Sequence, residues 1–466
     1  MFSYMNRGRA FYRNVVTLAL PIVLQNLCTT LLGLIDTFMV GSLGEAPLAA
    51  VLVANTPVFI IQLVIFGLQS GSSVLISQFW GKGDTDSINR VVGIGFYIAG
   101  AIAAVFAGAM FLVPEQIMAL MTDNKELIPL AAKYARIVGF SYLFNSMTGI
   151  YVGAHRAMEN PKLGMAVFGI SMLTNAFLNW IFIFGNLGAP ALGVEGAAIA
   201  TLCSRIVEFV ITFTYALTNR RFPLRPRLIL RPGGQLLRKF FRYSGPVVIN
   251  ETMWGTGYSL YKVVLGHMEG STEILAARAL AGNVEDLCTI VIFAIAGTTA
   301  IVIGREIGAG RRECLFEMGA ALDTLACLAG LLIGLPMVAC AWLIFPQVLY
   351  PIFHLSPTAG DITTMMLTFV GVFLPLRAFD TVNTVGVLRG GGDVRVATLI
   401  DIIPMWCVSI PLSALFGLGL KWGIFWVYAG MMSEHFIKFV LGLTRLRSRA
   451  WINDVTQFAH VKEDAT

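Results

Sequence analysis

Residues 66–83 read FGLQSGSSVLISQFWGKG, and residues 293–310 read FAIAGTTAIVIGREIGAG. Both open on Phe, run apolar through their middle and close on Gly-x-Gly, offset by 227 residues from Phe66 to Phe293. Outward from this pair, Pro21-Ile22-Val23-Leu24-Gln25 aligns with Pro246-Val247-Val248-Ile249-Asn250, an offset of 225 that also brings Gly41 onto Gly266. Arg156 to Lys162 (RAMENPK) aligns with Arg389 to Arg395 (RGGGDVR) at an offset of 233, and Gly193 and Phe209 with Gly423 and Phe439 at 230. The order is kept and the offset drifts little, so the chain is an internal duplication.

Each copy is built for lipid. Of 466 residues, 56% are hydrophobic and 13% charged, against about a quarter charged in soluble domains. Apolar runs of about 18 to 30 residues recur, the length a helix needs to cross ~30 Å of hydrocarbon. They are continuous rather than alternating, which argues against a β-barrel. The fold class predicted is all-α integral membrane, with about twelve helices near 15–41, 48–79, 91–113, 130–154, 163–185, 193–218, 243–266, 275–304, 315–345, 362–388, 396–418 and 422–444. The predicted organisation is an N-terminal lobe over 1–218, a basic connector over 219–242, and a C-terminal lobe with its tail over 243–466. Six spans per copy return the chain to its starting side, so the repeat is parallel. Paired parallel bundles are an architecture of secondary transporters, with the cargo site near the bilayer midplane.

The net charge of +6 reports topology rather than nucleic-acid binding. With a cytoplasmic N-terminus, that side receives Arg7, Arg9, Arg13, Lys82, Arg90, Arg156, Lys162, Arg305, Arg311, Arg312, Arg389, Arg395, Arg445, Arg447 and Arg449. The connector adds Arg220, Arg221, Arg225, Arg227, Arg231, Arg238, Lys239 and Arg242, while the opposite loops hold little beyond Lys125 and Lys421. The positive-inside rule therefore places both termini in the cytoplasm of a multi-pass cell-membrane protein. The first apolar run is too long for a cleaved signal peptide and contains Asp36. The seven cysteines lie mostly in apolar stretches without metal-ligand spacing and read as packing residues.

An ionisable group in hydrocarbon normally faces a cavity and marks an ion or substrate path. The candidates are Asp36, Glu251, Asp380, Asp401 and Glu434, with Glu285 and Asp286 toward one end of the eighth span. Asp36 is the first choice, 15 residues after Pro21. Asn175 and Asn179 lie one turn apart on one face of the fifth span and offer amide oxygens to an ion; ordinary interhelical hydrogen bonding would explain them equally well. Asp401 precedes Pro404, and a buried pairing with Arg377 or another polar group is its plain alternative. Glu434 and His435 read as a packing pair. Trp254, Tyr258 and Tyr261, with Phe379 and Trp406, are aromatic faces suited to flat organic cations. The deep charges read as mainly acidic, with Lys262 and Arg377 as the exceptions, which favours cationic cargo.

The ordered motifs resemble those of the multidrug and toxic compound extrusion (MATE) family. They are Pro21…Asp36-Thr37…Gly41, Gly81-Lys82-Gly83-Asp84, Asn175…Asn179 with Ile183-Phe184-Gly185, Gly193 to Thr201 (GVEGAAIAT), Gly308-Ala309-Gly310-Arg311 and Leu388 to Asp393 (LRGGGD). The resemblance implies V-shaped six-helix lobes, alternating access, and export of amphipathic cationic molecules against H+ or Na+ entry, with no other cofactor and no metal. It implies that Pro21 is a bending point whose shape follows the state of Asp36. Some members carry an aspartate where this chain has Asn179, which puts their proton-only mechanism in doubt here. Glu251 and Asp380 resemble an acidic pair of other members, with Glu251 about one turn early and Asp380 slightly close to Arg389. A major-facilitator loop of the G-x-x-x-D-R-x-G-R-R type is absent after the second span, where the chain reads Gly81-Lys82-Gly83-Asp84-Thr85-Asp86. The expected partners are membrane lipid and cationic small molecules, and the expected state is a monomer. A flippase for lipid-linked sugars is the alternative within the superfamily; a membrane transferase would need a nucleophile, metal or diphosphate motif, and none is found.

Overall fold

A computed structural model describes residues 3–5, 7–353 and 355–457, and among them the chain is helical with no strand. The twelve long helices are α1 Gly8–Gly41, α2 Glu45–Lys82, α3 Thr85–Leu112, α4 Leu127–Ala157, α5 Lys162–Phe184, α6 Val194–Thr218, α7 Gly234–Gly266, α8 Ser271–Gly308, α9 Leu315–Leu343, α10 Pro357–Leu388, α11 Val394–Gly419 and α12 Ile424–Ser448. Each contains or closely overlaps one predicted span. Ten are long and apolar enough to cross a membrane; α7 and α12 fall outside that set because they carry charge along their length, Glu251 and Lys262 in one and Glu434 and Lys438 in the other. At 1.5 Å per residue the 38-residue α2 is about 57 Å long, well beyond the ~30 Å core. Side chains such as Phe38, Leu112, Leu173, Leu332 and Val372 stay exposed, as a surface solvated by lipid allows.

Helix ends follow local chemistry. Gly83 closes α2 with φ 78°, a backbone state that suits glycine. Asp84 then caps α3, its carboxylate accepting from the Ser87 amide at 3.0 Å, so Gly81-Lys82-Gly83-Asp84 is a stop followed by a start. Pro21 sits inside a continuous α1. α10 finishes in π-helical turns over Val382–Leu388, and α11 contains two more over Met405–Ser409 and Leu415–Gly419.

The chain resolves into two compact units, Pro21–Val248 and, together, 1–20 and 249–466. In the first, α4 packs against α2, α3 and α6, and Ala50, Ile61, Tyr134 and Tyr142 are among its buried core. In the second, α10 packs against α8, α9 and α12. Val15 and Leu18 of α1 join this second core beside Val302, Ile303, Leu388 and Trp451, which is why the first turns of α1 count with it. After α12 the chain folds back: Trp451 is fully buried, the Asn453 amide donates to the Gly391 carbonyl at 2.8 Å, and Arg445 pairs with Asp393 at 2.6 Å.

Small residues set the closest helix approaches, as expected where lipid removes the hydrophobic drive between helices. A Cβ on Gly334 of α9 would stand 2.3 Å from the Gly371 carbonyl oxygen of α10, whereas one on Gly108 of α3 meets nothing within 4 Å. Gly334→Leu should therefore destabilise the protein by at least the ~1–3 kcal/mol of an overpacked core, while Gly108→Ala leaves it intact. Thermal unfolding of both variants in nanodiscs checks this.

Candidate ion-binding site

In the Pro21–Val248 unit, α1 and α5 bring Asp36, Asn175 and Asn179 together. The Asn179 Nδ2 group donates to Asp36 Oδ1 at 2.5 Å and to Asn175 Oδ1 at 2.9 Å. The Asn175 Nδ2 group in turn reaches Thr201 Oγ1 of α6 at 3.5 Å. Both amides are buried and Asp36 is half-buried. The Asn179 Oδ1 atom is buried without a partner, which leaves an oxygen lone pair next to the carboxylate. Among the described residues no base pairs with Asp36; the adjacent helix does hold Arg205, but that guanidinium is engaged by Glu208 at 2.5 Å. A carboxylate bonded to an amide and in no ion pair can take up a proton or a small hard cation, because the neighbouring amide oxygens can share the charge while the nearby Arg205 is engaged by Glu208.

The duplication has a counterpart pair in the second unit. The 225 offset carries Asp36 onto Tyr261, and the 230 offset carries Asn179 onto Ser409; Tyr261 Oη and Ser409 Oγ stand 2.6 Å apart. The contact is preserved while the carboxylate is lost.

The remaining predicted acids, Asp286 apart, are each matched with a base. Glu251 binds Arg389 at 2.8 Å. Asp401 accepts from Lys438 at 2.8 Å and from Asn250 at 2.9 Å, and Lys438 also meets Glu434 at 3.2 Å. Asp380 is bonded to His435 Nδ1 at 2.8 Å. Glu285 takes Arg278 at 2.9 Å and also Arg377, whereas Asp286 is exposed. The partner of Asp401 is thus Lys438 rather than Arg377, and Glu434 and His435 pair outward with different groups. Trp254 stacks on Tyr258 at 5.5 Å and 21°.

One expectation needs extending. The buried charges of the helices remain mainly acidic, but Lys262 and Arg377 are not the only exceptions: Arg205, Arg278 and Lys438 are further helical bases in ion pairs, and Arg389 follows α10 directly. Two acids also escaped the sequence reading. Glu208, in α6, is wholly buried, and Asp323 of α9 accepts from Asn383 at 2.8 Å. Both stand in the middle of apolar runs, the signal that found Asp36. Because removing one partner of a buried pair strands the other, Lys438→Met should cost about 3–5 kcal/mol. Adding Asp401→Asn should restore part of that, measured by thermal unfolding.

Two segments, 21–181 and 246–415, match the family model MatE, one in each half. Among curated relatives, the probable multidrug resistance protein NorM of Thermotoga maritima is 24% identical over 94% of this chain and 93% of its own length. The uncharacterized transporter YisQ of Bacillus subtilis is 24% identical, covering 94% and 95%. Among solved structures, a MOP superfamily transporter from Pyrococcus furiosus, described as having a binding pocket of reverse polarity that suggests a different function, superposes with a TM-score of 0.83. It is 23% identical and covers 96% of both chains. An outward-facing MATE family multidrug resistance transporter superposes at 0.82, with 22% identity over 94% of this chain and 96% of its own. With both halves matched over well more than half its length, the chain belongs to the MatE family of membrane transporters.

Proposed function

We propose that the protein is a multidrug efflux antiporter of the cell membrane, exporting amphipathic organic cations in exchange for inward H+ or Na+, with both termini cytoplasmic. The observation that carries this reading is the contrast among the acids. Asp36 is half-buried, held by Asn179 and in no ion pair; Asp323, held by Asn383, is sealed from solvent, and Glu251, Asp401, Glu434 and Glu285 are each ion-paired.

A neutralised acid has little left to attract a cation; an unpaired one must be protonated, bind a cation or remain unfavourably charged in a medium that solvates charge poorly. Asp36, with Asn175 and Asn179 as oxygen-bearing neighbours, is therefore the coupling residue, and Pro21 is the hinge through which its state reaches α1. Proline removes one backbone hydrogen bond from the helix, which makes that point of α1 the easiest to bend. Glu251, Asp380 and Asp401 hold the second unit together rather than carry the ion. The names of the relatives NorM of Thermotoga maritima and of Vibrio vulnificus support multidrug cargo.

Efflux of a cationic dye from everted vesicles, driven in turn by an imposed proton or sodium gradient, tests the reading. Asp36→Asn should reduce gradient-driven efflux at least about tenfold, the equivalent of one lost charge-assisted contact. Glu251→Gln should act through folding yield instead. If Asp36→Asn keeps full gradient dependence, the ion site lies elsewhere. If neither gradient moves a cation while an anionic lipid-linked sugar is translocated, the protein is a flippase.

A further inference from the structure

Where α7 and α11 end and α8, α10 and α12 begin, the second unit forms a cavity of about 490 Å³, within the ~300–1,000 Å³ usual for small-ligand sites. This is the end of the unit opposite its C-terminal tail. Two of its walls carry opposite charge. Glu269 lies in the turn between α7 and α8 and Glu273 in the first turn of α8, while Lys421 lies in the turn between α11 and α12. Among the described residues none of the three is in an ion pair, either with each other or with a fourth group. His267 also lines the cavity, its Nδ1 donating to the Val263 carbonyl oxygen at 2.8 Å.

The lysine is presented on a fixed turn. Its φ is 51°, a state that residues with side chains seldom adopt. The flanking amides hold it there, Leu420 donating to the Leu415 carbonyl and Trp422 to the Phe416 carbonyl, both at 2.7 Å. Trp422 is pinned in turn by stacking on Phe416 at 4.9 Å and 14°. Opposite charges that share a cavity without meeting leave a gap that a guest bearing both signs can bridge.

The rest of the wall is apolar, with Met268, Ile274, Ile362, Leu418 and Ile424. Its rim continues over exposed rings: Trp422 meets Trp426 at 5.5 Å, and Trp426 meets Phe425 at 5.5 Å. Tryptophans at the ends of membrane helices sit at headgroup level. A water-soluble zwitterion would use the charges and leave this surface idle, whereas a phospholipid uses both. The two carboxylates also select the cation, because a primary ammonium offers them three N–H donors and a trimethylammonium offers none.

We infer that this cavity is a binding site for a phospholipid whose headgroup joins a phosphate diester to a primary ammonium. The ammonium is taken by Glu269 and Glu273, the phosphate by Lys421, and the acyl chains run along Trp422 and Trp426. The site is separate from Asp36 and independent of the coupling ion.

Native mass spectrometry of the purified full-length protein, titrated with phospholipids of matched acyl chains, reads the dissociation constant of each lipid. Phosphatidylethanolamine should bind about fivefold more tightly than phosphatidylcholine, the upper range for a partly exposed ion pair. The double variant Glu269→Gln, Glu273→Gln should bring that ratio to one. Lys421→Gln should weaken both lipids alike and keep the ratio. Equal binding of the two lipids by the wild type, or a ratio unchanged in the double variant, overturns the site. Soluble glycerophosphoethanolamine displacing the lipid at equal concentration also overturns it, since the occupant would then be a zwitterion without chains.

Discussion

Charge in a medium that cannot solvate it governs this protein. The helices bury or half-bury Asp36, Glu208, Glu251, Glu285, Asp323, Asp380, Asp401 and Glu434. Most are answered by a base: Arg205, Arg389, Lys438, and the pair Arg278 and Arg377. Such pairs contribute modestly to net stability, since desolvation offsets much of the attraction, but losing one partner is costly. They act as registration pins between α7, α8, α10, α11 and α12. Against this background Asp36 and Asp323 stand apart, each held by an asparagine amide instead of a base; of the two only Asp36 is half-exposed, and its counterpart in the duplicated half, Tyr261, does not carry a carboxylate. Of the two positions that the duplication makes equivalent, only one carries a carboxylate.

The two compact units exchange the ends of their first helices. The division falls between Leu20 and Pro21 in α1, and between Val248 and Ile249 in α7, two residues after Pro246. Each of these helices thus begins in one unit and continues in the other, changing allegiance at or beside a proline. Proline weakens a helix at one point without ending it, and in both helices that point lies at or beside the division.

Much of this was legible in the sequence. Long apolar runs gave the twelve helices because hydrocarbon admits few alternatives, and the offset between repeated segments paired the halves. Asp36 with Asn175 and Asn179 was readable because polar residues in such runs are few. What could not be read was who pairs with whom. Lys438 lies 37 residues from Asp401, and Arg389 lies 138 from Glu251; nothing local links them, and only the packing of α7, α11 and α12 does. Glu208 and Asp323 were legible by the same rule as Asp36 and were passed over. The list of basic exceptions was too short because Arg205, Arg278 and Lys438 sit among apolar neighbours that hide them from a tally of loop charges.

The return of the chain after α12 has a consequence for biosynthesis. Trp451 fills the space that Gly391 leaves by lacking a side chain, and Asn453 closes onto the same residue. This plug is translated after α12, yet it completes the junction between α10 and α11, elements made earlier. Until Trp451 has left the ribosome, that junction stays open, with Gly391 as its floor and a buried tryptophan slot unfilled.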